Sequence, residues 1–145
     1  MSAESNWGIV AIKLTANDQF AASDTESTNA TTDFVTKTTL TFTPGLLADY
    51  LVFASADLYN NDDFGDAWQV KLNNIVTAYG LHTIANDPDD GAPADGGGKY
   101  NWQTMELFNL SAVSQTFNIQ YRNNVGTDVI GIENSRICAL LLSDF

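Results

Sequence analysis

Residues 86–99, NDPDDGAPADGGGK, bring four aspartates, two prolines and four glycines into one stretch, and carboxylates at that density suggest a calcium site. An EF-hand loop needs acids at its first, third and fifth positions, glycine at the sixth and glutamate at the twelfth. Counted from Asn86, Gly91 falls correctly, but Pro88 takes the third place and Gly97 the twelfth. Counted from Asp87, Gly91 falls fifth, so neither register fits. A looser set of Asp87, Asp89, Asp90 and Asp95 remains, as does one of Asp62, Asp63 and Asp66 in the second acidic turn, YNNDDFGD. The simpler expectation is a pair of solvated turns with no metal or other cofactor, in which Pro and Gly shape the path and Asp supplies local caps.

Residues for covalent or acid–base chemistry are sparse. His82 is the one histidine and Cys138 the one cysteine, each inside an apolar strand-like pattern, and no local signature makes them a dyad. Glu106 and Glu133 would suit a glycosidase only if they faced each other across a cleft, and both read as outward strand positions. No G-x-S-x-G, phosphate-cradling glycine motif or zinc-type His/Cys cluster occurs. The expectation is a protein that is not an enzyme and has no catalytic residues.

Composition narrows the partners. The formal net charge is −12, from 18 acidic against 6 basic residues, which disfavours a nucleic-acid groove or an anionic membrane surface. Protein, neutral glycan or cation are the partners left. One cysteine excludes an intrachain disulfide, the start MSAESNWGIVAIKL lacks the pattern of a secretory signal, and no apolar run approaches a membrane span. A protein made in a cytoplasm is expected.

The elements that must carry these residues are strands. The chain has 145 residues, enough for one domain with its own core. Runs with a period of two recur from end to end between Gly, Asn, Asp and Pro clusters, which predicts an all-β antiparallel sandwich of about eight to ten strands. A short arm, 1–6, precedes the first run, WGIVAIKL, and 15–33 reads as a long polar connection. FVTKTTLTF sets Phe34, Leu40 and Phe42 on one face, and Pro44-Gly45 then turns the chain. YLVFASADL follows, then AWQVKL and NIVTAYGLHTI, the last open to a break at Gly80. YNWQTMELF, FNIQYRN and DVIGIENSRICALLL complete the set, with a split expected near Asn134.

YLVF and ICALLL are apolar on both faces. A strand in a two-layer sandwich should meet water on one side, so each asks for a second cover, either the 15–33 segment or a neighbouring subunit. The subunit is the favoured cover, with Leu51, Phe53, Cys138, Leu140 and Leu142 as interface residues.

At TFTPGLLADYLVFASADL the chain resembles the jelly rolls of the complement globular-head and tumour-necrosis-factor type, in which a Pro-Gly turn leads into a strand with a central aromatic. Its closing stretch, FNLSAVSQTFNIQYRNNVGTDVIGIENSRICALLLSDF, is similar to small jelly-roll virion proteins of tailed bacteriophages, with their aromatic strand, Gly-Thr turn, Ile-x-Asn-x-Arg-Ile step and final apolar strand. The resemblance implies a jelly roll assembled as a homotrimer and a place on a virion. Three functions are then in view: a capsid decoration protein binding the major capsid protein or other virion proteins, a tail-fibre or spike tip that binds a receptor, and a free carbohydrate-binding module. Decoration is preferred because the chain opens almost directly on a strand, without a repetitive shaft. Its attachment is expected from the N-terminal arm, with Ser2, Glu4 and Trp7, helped by the 15–33 segment.

Overall fold

The computed structural model describes residues 18–60, 68–74, 77–84, 100–123 and 129–142, with the backbone alone at 60, 68 and 77–84. Nine strands fill it: β1 (Gln19–Ser23), β2 (Ser27–Asn29), β3 (Val35–Phe42), β4 (Ala48–Asn60), β5 (Trp68–Asn74), β6 (Thr77–Ile84), β7 (Tyr100–Leu110), β8 (Gln115–Asn123) and β9 (Ile130–Leu141). All pairings are antiparallel. One sheet runs β1-β9-β4-β7, with β2 also on β9, and the other runs β3-β8-β5-β6. With β1 and β2 taken as two halves of one interrupted edge strand, these are the strand orders of an eight-stranded jelly roll.

The core lies between the sheets because alternate residues point there. Val52, Ala54, Ala56 and Leu58 come from β4, Phe117, Ile119 and Tyr121 from β8, and Val70 and Leu72 from β5. Small alanines in the middle of β4 leave room for the aromatic side chains opposite. Phe117 meets Phe108 edge-on at 5.0 Å between ring centroids and lies stacked with Phe42 at 6.2 Å. Phe42 in turn tilts against Tyr50 at 5.3 Å. Offset and edge-on geometries suit the ring quadrupoles and add to the burial of area.

Strand β9 changes its facing partway along. Ile130 and Ile132 point into the core before Asn134, and Ile137 and Ala139 after it. Asn134 has a φ of 48°, and the β4 register shifts beside it, between Ser55 and Asp57. The extra residue is a β-bulge. On the other side of β9, Ser23 pairs with Ser135 and Ser27 with Ile132, so the gap between β1 and β2 falls opposite the same bulge. Polar groups that the irregularity buries are satisfied locally. The Ser135 hydroxyl donates to the Ser23 carbonyl at 3.3 Å and accepts from Thr38, while Ser27 Oγ bonds Tyr121 Oη at 2.7 Å. Asn29, also buried, accepts from Thr31 N at 2.9 Å and donates to the Asp33 carbonyl at 3.0 Å, which ties the following turn to the sheet.

Three expectations change at this level. The 15–33 segment is not a bare connection, because residues 19–23 and 27–29 are edge strands on β9. A short edge pairing rests on backbone hydrogen bonds, so it needs no long apolar alternation and leaves little trace in the sequence. Phe34 does not join Leu40 and Phe42 inside. A register shift between Thr36 and Thr38 flips the facing, and its ring lies under Lys71 Nζ at 3.8 Å and the Arg122 guanidinium at 4.5 Å on the outer side. Glu106 is not an outward position either: it pairs with Val52, shares the facing of Trp102 and Phe108, and is half-buried at the edge of the sandwich. The split expected at Asn134 is the bulge within a continuous β9, and the register between Val70–His82 and Leu72–Tyr79 places a second irregularity at Gly80 and Leu81.

Candidate functional site: the outer face of the β1-β9-β4-β7 sheet

The two outer faces of the sandwich differ sharply in chemistry. On the β3-β8-β5-β6 sheet, Thr39 donates to Asn118 Oδ1 at 2.8 Å, Thr41 pairs with Thr116 at 3.1 Å, and Gln120 donates to Thr36 at 3.1 Å. That is a polar cross-strand ladder facing solvent. On the β1-β9-β4-β7 sheet the register sets residues in rows across the strands, and the rows change character along the strand direction.

Leu140, Leu51 and Leu107 make one row. Phe20, Cys138, Phe53 and Met105 make the next. Beyond them come Ala22, Arg136, Ser55 and Gln103, then Asp57 and Asn101 beside the bulge residue Asn134. Half of the face is therefore apolar and half polar. Phe20, Met105 and Leu107 are 57%, 57% and 61% exposed, high values for large apolar side chains sharing one face.

At the boundary between the halves lies a recess of about 540 Å³. Phe53, Met105 and Cys138 line its apolar side, and Ser55, Gln103 and Arg136 its polar side. The polar groups are held in place. Arg136 forms an ion pair with Asp24 and donates from Nη1 to the Ser135 carbonyl at 3.0 Å. Gln103 donates to Asn101 Oδ1, and Asn101 and Asn134 each donate to an Asp57 carboxylate oxygen at 2.9 Å. Burial, reinforced by the Asp18 carboxylate, pushes the Cys138 thiol above its ordinary pKa, so it is protonated near neutrality and a poor nucleophile.

Of the interface residues named from sequence, Leu51, Phe53 and Cys138 stand together here, each half-buried within the chain. Leu140 shares their face but is only 3% exposed, already covered by its own chain, and Leu142 is half-buried just after β9. Sequence reasoning missed Phe20, Met105 and Leu107. Met105 and Leu107 alternate with inward residues in YNWQTMELF, a signal present in the sequence, while Phe20 was concealed in a segment that read as polar.

The ends of the sandwich differ too. The turns joining β3 to β4 and β7 to β8 lie at one end and expose Leu46, Leu47 and Val113. β1 enters the fold at this end, where Gln19 pairs with Ala139. The strands flanking the acidic stretches terminate at the other end, where Leu58 pairs with Tyr100 and Trp68 with Ile84. The acidic candidates Asp62, Asp63, Asp66, Asp87, Asp89, Asp90 and Asp95 lie outside the described residues, as do the attachment candidates Ser2, Glu4 and Trp7. The side chain of His82 is likewise outside them.

The geometry defines a jelly-roll sandwich with one polar and one half-apolar outer face. No family model matches the chain. No curated protein matches it. Solved structures share its shape: dimeric latent PorU from Porphyromonas gingivalis is similar at a TM-score of 0.54 and 10% identity, over 85% of this chain and 12% of PorU. The chain thus spans about an eighth of that protein's length, and the likeness is one of fold.

Proposed function

We propose that this chain is a non-enzymatic structural protein of a phage virion, a capsid decoration protein that assembles as a homotrimer and binds neighbouring shell subunits. The observation that carries the reading is the set of exposed apolar residues Phe20, Met105 and Leu107, with half-buried Leu51 between them, on one outer sheet face, while the described strands β3 and β8 of the other sheet carry a polar ladder outside. A face of that kind is stable in water when a subunit covers it, and cyclic assembly buries the same patch in every copy. The resemblance of the closing stretch to small phage virion proteins supplies the setting, with synthesis in the host cytoplasm.

Attachment is assigned to the end that exposes Leu46, Leu47 and Val113, where β1, the first described strand, begins. That assignment replaces the 15–33 segment as a source of contacts, because much of it is committed to β9. The net charge of −12 favours a protein surface over packaged nucleic acid or an anionic membrane. The test is localisation on purified particles by immunogold labelling and quantitative mass spectrometry. Copies spread over the capsid in fixed ratio to the shell protein are expected. Restriction to the tail tip would replace decoration by receptor binding, and absence from particles would leave the free glycan-binding module.

A further inference from the structure

We infer that the recess between Phe53, Met105, Gln103 and Arg136 is a binding site for a neutral pyranose, a single sugar unit at the end of a glycan. The inference goes beyond the structural role proposed above and stands beside it, because a trimer contact centred on the Leu51 and Leu107 row leaves the recess, with its polar wall, at the rim of the contact. Its size is the first reason. About 540 Å³ falls within the range of small-ligand sites and exceeds what one sugar ring needs.

The lining is the second reason. A pyranose has a face of C–H groups and a rim of vicinal hydroxyls, each both donor and acceptor. Phe53 and Met105 supply an apolar wall for the C–H face, and an aromatic ring presents a partly negative surface to such hydrogens. Gln103 gives one N–H to Asn101 Oδ1, which leaves its second N–H and its Oε1 side by side, a donor and an acceptor spaced for two neighbouring hydroxyls. Ser55 adds a hydroxyl, and Arg136 adds guanidinium N–H groups beyond the one bonded to Ser135.

Preorganisation is the third. The chain from Gln103 through Asn101 to Asp57, joined by Asn134, fixes the planar side chains before any ligand arrives, so little rotamer freedom is lost on binding. Charge selects against other ligand classes. Arg136 is already paired with Asp24, and the net charge of −12 repels anions, so the guanidinium serves as a directional donor to a neutral group. A wholly apolar ligand would strand the polar wall.

The experiment uses the intact protein and the methyl α-glycosides of glucose, galactose, mannose and N-acetylglucosamine in saturation-transfer NMR, followed by titration. At least one glycoside should receive transfer, strongest on its C–H face, with a Kd on the order of 1 mM, as expected for so small a ligand. Gln103→Ala, an exposed position, should weaken that binding about tenfold, the value of one lost hydrogen bond, at an unchanged unfolding midpoint. Phe53→Leu should weaken it while preserving the apolar contacts of assembly. No transfer to any of the four at tens of millimolar (about ten times that expected Kd) overturns the inference, and so does binding that neither variant changes. Location on the virion, read separately, bears only on the structural role.

Discussion

At the scale of single residues, the tightest constraint is Gly131. A Cβ there would lie 2.1 Å from Cζ of the Tyr59 ring, inside any possible contact, and the ring is largely buried. Gly131→Ala must therefore displace the ring, and we expect a loss of about 1–3 kcal/mol in urea unfolding. Two further side chains set an alkaline limit. Burial raises the pKa of the Cys138 thiol, with Asp18 adding to it, and raises that of the Tyr121 phenol against the opposing hydrogen bond from Ser27. In both cases the unfolded chain ionises first, so it binds fewer protons than the folded one and stability falls as pH rises. Urea midpoints should be flat around neutrality and drop once pH passes the ordinary thiol and phenol range. Alkylation of Cys138 by iodoacetamide at mildly alkaline pH should be slower in the folded protein than in denaturant, and equal rates would contradict the assigned burial.

At the scale of elements, the bulge in β9 decides which side chains face out. Asn134 adopts a left-handed φ, tolerated by Asn and Gly and poorly by β-branched residues. Its amide also donates to Asp57 at 2.9 Å. Asn134→Gly keeps the backbone and loses that exposed hydrogen bond, so it should change stability by about 0.5 kcal/mol or less. Asn134→Val should cost about 1–2 kcal/mol, because the strained conformation remains and the hydrogen bond is gone. Equal stability of the two variants in thermal unfolding would mean that the bulge is not fixed by Asn134. Without the bulge, every residue of β9 beyond it would turn to the opposite face, and Cys138 and Arg136 would leave the recess.

At the scale of the whole molecule, the division of one outer face into apolar and polar halves is what the proposed trimer rests on, and one substitution tests it. Leu51→Asp places a carboxylate between Leu107 and Leu140 in the apolar row. Facing water in an isolated chain, it should be tolerated, but at a subunit contact it is an unpaired charge without solvent. Multi-angle light scattering at micromolar concentration should give a trimer for the wild type and a monomer for this variant, both with β-rich circular dichroism. A monomeric wild type would remove the assembly role. The control Thr39→Asp, on the polar ladder, should leave the oligomer intact.

The sequence by itself determined the all-β class, the strands from β3 onward and the two-faced character of β4 and β9. Period-two alternation is a local property, written residue by residue into segments such as YLVFASADL. The pairing order lay beyond that reading, since nothing in ICALLL names β4 as its neighbour, and that order decides that Phe53, Cys138 and Met105 share a row. The bulge at Lys37 escaped for the same reason: one extra residue reverses facing, so Phe34 read as core and lies outside, whereas the irregularity at Asn134 was legible only as a split in the last strand. The strands β1 and β2 were hidden because an edge bound by its backbone needs no apolar pattern of its own. Tertiary structure alone thus decided the site, because a site is a set of residues from different strands, and only register brings Phe53, Gln103 and Arg136 to one recess.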